Sequence, residues 1–300
     1  MHLSKKETSG LWFAFIGVFF FSLSLPMTKW ALESFDPLFT AFFRPIMASV
    51  LAIPLLFIRR VPLIPRQYLK SIIYVTVGTA LIWPTLIALA LQRTTSAHVA
   101  VIAAIMPLVT AIFAVIKDKT HVSMQFWIAS SCGTFLLILF AITRGGGTGR
   151  DLRADIFTIL AVIASSYCYV VGAELSRAMP GWQVISWVVI FGLPFCIPAS
   201  AIIWIKTHDL HPVTFHAIAG MTMIGIFSMY IGFFAWFRGL RDAGTAHGSQ
   251  VQQLQAIMTL GWAATLLHEK VTLGMLVIAF GVVASVLWAL STRQRVLESS

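Results

Sequence analysis

Of the chain's 300 residues, 58% are hydrophobic and only 11% charged, and the mean hydropathy is +0.88; soluble globular domains carry about 25% charged residues, so most of this surface must meet lipid. The net charge of +10 is spread between apolar runs and forms no basic face, which argues against a nucleic-acid partner. Cys132, Cys168 and Cys196 lie in apolar stretches without metal-type spacing, so the pattern predicts no disulfide framework, no metal site and no cofactor, and the three cysteines read as small core residues.

Lys5 and Lys6 precede an apolar run from Leu11 that is too long for a secretory signal and lacks a small-residue cleavage site, which predicts a retained first span after a tail of residues 1–10. Uncharged stretches then recur: Thr8 to Thr28, Ser71 to Gln92, Thr94 to Ile116, Thr120 to Thr143, Ile156 to Ala173, Ala178 to Ile205, Leu210 to Phe237, Ala243 to His268 and Val271 to Thr292. A further stretch, Pro37 to Ile58, is interrupted by Arg44. Each can cross a hydrocarbon core of about 30 Å as a helix of about 20 residues. Continuous runs of this length, without period-two alternation, predict helices and not a barrel. With the N-terminus cytoplasmic, the connections on that side hold thirteen Lys and Arg against seven opposite, which orients both termini inward.

An internal repeat organises these spans. Leu91-Gln-Arg-Thr-Thr-Ser-Ala97-His98 returns as Leu240-Arg-Asp-Ala-Gly-Thr-Ala246-His247, each time entering an apolar helix that ends in Asp118-Lys119 or Glu269-Lys270. The expected organisation is a first five-helix repeat at 11–143, a linker at 144–152 containing Gly145-Gly-Gly-Thr-Gly149, a second repeat at 153–291 and a cytoplasmic tail at 292–300. Five is odd, so the second copy enters the membrane in the opposite sense. The predicted fold class is an all-α integral membrane protein of ten transmembrane helices in two inverted five-helix repeats, an arrangement that places a solute site between the halves.

These residues resemble the drug/metabolite transporter superfamily in its EamA-like branch. The resemblance rests on the second-span segment Phe42-Phe-Arg44-Pro-Ile-Met-Ala48, on Leu91, Thr95, Ser96, Ala97, Pro107 and Asp118 around the fourth span, and on Thr245, Ala246, Leu254, Gln255 and Glu269 around the ninth. The sequence departs from the family pattern at Asp118, where Glu is usual, and at Ala256, where Pro is frequent. The resemblance implies a permease of the plasma (inner) membrane that moves small metabolites, often amino acids and often outward, by alternating access.

The candidate substrate-binding residues are Arg44, Trp83, His98, Tyr230, Gln252 and Gln255. An arginine within a span costs about 2.5–3.5 kcal/mol unless it snorkels or finds a partner, so Arg44 is a candidate, with snorkelling or a tie to carbonyls as the competing reading. Gly248, Gln252, Gln255 and Thr259 fall at i, i+4, i+7 and i+11, one polar stripe that either meets a solute or bonds a neighbouring helix. His98 and His247 occupy matching positions, with interfacial solvation as the alternative to solute contact. Trp83 adjoins Pro84 and Tyr230 lies between Gly225 and Gly232, places where backbone irregularity can open toward a cavity; Tyr167, Tyr169 and Trp236 are further aromatics of this kind. The acids Asp118, Asp155, Glu174 and Glu269 lie toward span ends, leaving no midplane carboxylate relay. Phosphate-loop, nucleophile-elbow and zinc-protease motifs are absent, so no catalytic residue and no enzyme activity is expected. The alternative class is a membrane enzyme acting on lipid or lipid-linked substrates. The expected partners are the bilayer and a small-molecule solute; a monomer satisfies the pattern, which leaves the oligomeric state open.

Overall fold

The computed structural model describes residues 4–93, 99, 102–118, 122–141, 151–207, 212–266 and 273–298. Among these residues the chain forms helices and no strand: α1 (Lys5–Ala31), α2 (Pro37–Ile58), α3 (Arg66–Leu91), α4 (Met106–Asp118), α5 (Met124–Ala141), α6 (Leu152–Ala178), α7 (Gly181–Thr207), α8 (Phe215–Ala243), α9 and α10 (Leu273–Glu298). Helix α9 is composite, with Thr245–Gln250 joined to Leu254–Leu266 through a 3-10 turn, Val251–Gln253. Six of the ten, α1, α2, α3, α6, α7 and α8, are individually long and apolar enough to cross a membrane, while α4, α5 and α10 contain shorter apolar stretches.

Local chemistry sets the helix starts. Ser4 opens α1 with a capping box, accepting from Glu7 N while the Glu7 side chain accepts from Ser4 N. The carboxylate of Asp36 accepts from Leu38 N at 2.8 Å and Phe39 N at 3.2 Å, with Pro37 supplying the first turn of α2. Asp151 and Thr214 cap α6 and α8 in the same way. Gly244, at φ 81°, separates α8 from α9 in a conformation that L side chains rarely adopt.

The halves pack as an inverted pair. Helix α1 lies along α8 and α3 along α6, which is one contact seen from each repeat; α2 packs on α7, α4 on α9 and α5 on α10, each helix meeting its counterpart. The α1–α8 contact is backbone-close: a Cβ on Gly17 would fall 2.9 Å from Gly232 O and Trp236 N, and one on Gly239 would overlap the backbone of Ala14. Small residues are how helices associate where no hydrophobic force separates protein from solvent. The largest apolar cluster joins both halves, with Phe21, Ala48, Val75 and Met106 from one and Tyr169, Val188, Phe233 and Trp236 from the other. Cys168 and Cys196 are buried, as expected, but Cys132 is exposed, because its side of α5 points away from α10 and toward the lipid.

Candidate functional site

The site is built where α2, α4, α6, α8 and α9 converge, and it begins with Tyr169. Its ring is 5% exposed and meets Trp236 edge-on at 5.4 Å and Phe233 at 5.9 Å; Phe21 of α1 closes the same aromatic wall, 6.0 Å from Trp236 and 5.0 Å from Phe233. The Gln252 side chain lies beside the Tyr169 hydroxyl, and the Arg44 guanidinium lies within electrostatic range of it. Gln252 Nε2 also reaches Met106 Sδ at 3.4 Å, a weak acceptor.

Three buried polar atoms around this tyrosine lack a partner: Arg44 Nε, Gln252 Oε1 and Trp236 Nε1. Most other unpartnered buried atoms are Ser and Thr hydroxyls. The remaining exception, Arg238 Nε, stands 3.8 Å from Asp242 Oδ2. Buried polar groups in folded proteins are nearly always satisfied, so three open groups on one tyrosine call for a ligand or water.

Arg44 is 9% exposed. It lies on the face of α2 that carries Ala48 and Ala52, at i+4 and i+8, whose methyls belong to the inter-repeat cluster. That placement takes the guanidinium into the protein and away from the headgroups, so snorkelling does not describe it.

The glutamine-rich start of α9 divides by face. Gln253 Nε2 donates to Gln250 Oε1 at 2.7 Å, Ser285 Oγ of α10 donates to Gln253 Oε1 at 3.4 Å, and Gln250 Nε2 and Ser249 Oγ both reach Pro107 O at 3.4 Å. A Cβ at Gly133 of α5 would overlap Gln253 Oε1 and Ser285 Oγ, so this amide network holds α4, α5, α9 and α10 together. On the other face Gln255 Nε2 donates to Phe21 O at 3.4 Å, Thr259 Oγ1 to Ser22 O at 2.9 Å and Trp262 Nε1 to Ser22 Oγ at 2.9 Å. These three pin α9 to the break in α1 at Leu23, where Lys5–Ser22 gives way to Ser24–Ala31. Of the stripe expected from sequence, Gln252 meets the aromatic wall, while Gln255 and Thr259 join two helices.

The other expected residues are distributed as follows. Tyr230 is 5% exposed and shares a 2.7 Å hydrogen bond with Ser186 of α7, inside a π-helical segment, Met223–Gly232. Trp83 packs half-buried at the edge of the central cluster, directly after a second π-helical segment, Thr76–Ile82. His98 lies outside the described residues, as do Glu269 and the glycine-rich linker. His247 packs on Phe126 at 4.8 Å. Tyr167 is 39% exposed against Phe113 and faces outward. Sequence reasoning gave no special weight to Tyr169, Trp236 and Met106. The available signal was the spacing Val162, Ser165 or Ser166, Tyr169, Ala173, a small-residue face of α6 turned inward. Among the described residues no group of His, Cys, Asp and Glu is suited to hold a metal ion.

Ten helices in two inverted repeats, with a polar and aromatic junction between them, define a multi-pass membrane protein of transporter architecture. The EamA-like transporter family model matches the chain twice, at residues 8–143 and 152–291. The chain belongs to the EamA-like transporter family. It is 37% identical over 282 residues to a Bacillus subtilis (strain 168) protein described as the uncharacterized transporter YdeK, covering 94% of this chain and 97% of that protein. A solved crystal structure superposes with a TM-score of 0.76 over 96% of this chain and 99% of its own, at 14% identity, a likeness of fold.

Proposed function

We propose that this protein is a secondary transporter or facilitator that exports small organic metabolites, of the size and polarity of amino acids, across the plasma membrane by alternating access, with both termini cytoplasmic. The observation that carries the reading is the gathering of Arg44, Gln252 and Trp236, each with a buried, unpartnered polar atom, around Tyr169 at the seam between the repeats. A seam between inverted repeats is where rocking of one half against the other exposes a site first to one side and then to the other. Gln252, Arg44 and Trp236 would supply the polar contacts, Phe21 and Phe233 an apolar wall, and Trp83 and Tyr230 the rim. Gln255 would transmit movement of α9 to α1, and His98 would add a further polar contact to the solute. The excess of Lys and Arg in the connections on the N-terminal side supports the orientation.

Flux of a solute panel into and out of proteoliposomes tests this. Gln252→Leu and Tyr169→Phe are expected to remove flux while leaving expression and melting temperature near wild type. Wild-type flux in both variants, or no flux of any solute by the wild-type protein, refutes the proposal.

A further inference from the structure

We infer that the inter-repeat site takes organic carboxylates, with the Arg44 guanidinium as the group that receives the carboxylate; this rests on the transporter reading of the same site. The charge balance carries the argument. Among the described residues, the buried charged side chains are Arg44 and Asp242. Asp242 is neutralised where it sits: Arg241 Nε donates to its Oδ1 at 2.8 Å and Arg241 Nη2 to its Oδ2 at 2.9 Å. Arg44 has no such arrangement. No described carboxylate forms an ion pair with it, no described group accepts a hydrogen bond from it, and its Nε is buried without a partner. The other described acids are elsewhere: Glu7 in the capping box of α1, Glu33 beside His216, Asp36 and Asp151 capping helices, Asp155 in the first turn of α6, Glu174 paired with Lys117 at 2.9 Å.

A buried guanidinium without a counter-charge is a standing cost that a bound anion removes, and its planar fork matches a carboxylate in bidentate geometry. The surroundings suit the rest of such a solute. Tyr169, Trp236 and Phe233 offer ring faces and edges, and Gln252 Oε1 is free to accept from a hydroxyl or amide. An ammonium group would meet the repulsion of the Arg44 charge, with no carboxylate among the described residues of the site to pair with. Anionic solutes are therefore favoured over zwitterions, and zwitterions over cations.

The test uses three probes with one phenyl body: 3-phenylpropanoate, L-phenylalanine and 2-phenylethylamine, titrated against the purified full-length protein by tryptophan fluorescence and by shift of melting temperature. The expected order is carboxylate, zwitterion, amine, with at least a tenfold gap between the first and the last. Arg44→Gln is expected to weaken the carboxylate at least tenfold, and Arg44→Lys to weaken it less, because a point charge survives without the fork. Without ligand, Arg44→Gln is expected to melt at or above the wild-type temperature, since an unpaired buried charge is gone. An unchanged carboxylate affinity in Arg44→Gln, a preference for the amine, or no binding of any probe by the wild-type protein overturns the inference. So does an unliganded melting temperature that falls in both variants with the charge order unaltered, the mark of a structural tie. Repeating the titration in phosphatidylcholine nanodiscs with and without phosphatidylglycerol separates solute from lipid: equal affinity in both supports a solute site, and competition by the anionic lipid overturns it. Flux that persists in Arg44→Gln with the same charge order, but is lost in Gln252→Leu, defeats the carboxylate assignment and leaves the transporter reading standing.

Discussion

The division of labour among the α9 glutamines makes a measurable prediction from neighbouring residues of one type. Replacing Gln253 with Met keeps the shape of the side chain and removes its amide. Gln250 Oε1 then loses the 2.7 Å bond from Gln253 Nε2 and is left buried, and Ser285 of α10 loses its 3.4 Å contact with α9 while keeping its own bond to Val282 O at 2.8 Å. A stranded buried acceptor costs about 1–3 kcal/mol, and an interhelical hydrogen bond within a membrane about 0.6 kcal/mol, so Gln253→Met should destabilise by about 2–3 kcal/mol. Gln252→Met breaks only a weak contact to a methionine sulfur, and it also deletes an unpartnered oxygen, so its stability should stay within about 0.5 kcal/mol of wild type. Gly133→Ala pushes a methyl into the oxygen of Gln253, and the double variant Gly133→Ala with Gln253→Met should be less damaged than the two single effects added, since both act on one network. Thermal and SDS unfolding in detergent, alongside flux, reads all four proteins. If Gln252→Met destabilises as much as Gln253→Met, the assignment of the two faces is wrong.

Gly239→Val inserts an isopropyl group where α8 touches the backbone of Ala14, and overpacking of about 1–3 kcal/mol should appear as a lower melting temperature, measured in detergent. Tyr230→Phe removes the 2.7 Å bond to Ser186, which retains its bond to Trp182 O at 2.7 Å; the expected cost is about 0.6 kcal/mol with flux preserved, in contrast to Tyr169→Phe. Asp151, held below the usual carboxylate range first by the backbone N–H of Arg153 and then by Ala154 and Arg93, contributes stability that is present above the ordinary aspartate pKa and lost as pH falls through its depressed folded value. Melting temperature should therefore drop below about pH 4 in the wild-type protein, and less so in Asp151→Asn, which keeps a capping oxygen without titrating.

The spans were legible because charges are expensive in hydrocarbon and cheap at its edges, so Lys, Arg, Asp and Glu mark the helix ends almost by themselves. The sidedness of each helix was not legible in the same way. In lipid an outward-facing apolar residue is as well placed as an inward one, so Cys132 and Tyr167 carry no sequence mark that separates them from Cys168 and Tyr169. Polar residues kept their meaning, since an amide within the membrane must face protein, and the Gly248 to Thr259 stripe does so. Which neighbour it faces depends on helix pairing, and that is why Gln255 proves to be a tie to Phe21 O while Gln252 meets Tyr169. Arg44 belongs with them: its position in the span was visible, but its inward aim follows from the packing of α2 on α7 and α8.

The irregularities in the helices come in pairs, and the pairing ties the duplication to the site. Leu91 and Leu240 stand 149 positions apart in the repeated motif. With that spacing the π-helical segment Thr76–Ile82 of α3 falls within the second one, Met223–Gly232 of α8. The turn that precedes Met106, where Ile105 N bonds Ile102 O in an i,i+3 pattern, likewise matches the 3-10 turn Val251–Gln253 ahead of Leu254. Each break costs regular hydrogen bonding, and in a membrane that cost is tolerated only where the freed groups face protein or a wet interior. These breaks do: Met106 O accepts from Ser166 at 3.3 Å, Pro107 O from Ser249 and Gln250, and Thr76 Oγ1 donates to Val188 O at 3.0 Å. Helix α1, broken at Leu23 under Gln255 and Thr259, has no matching break in α6, which runs unbroken through Tyr169. Apart from the break in α1, the seam is symmetric in its backbone, while its chemistry is asymmetric. The first repeat brings a cation on α2 and the second most of an aromatic and amide wall on α6, α8 and α9, so under the proposed function a solute with unlike ends would have one orientation that satisfies both.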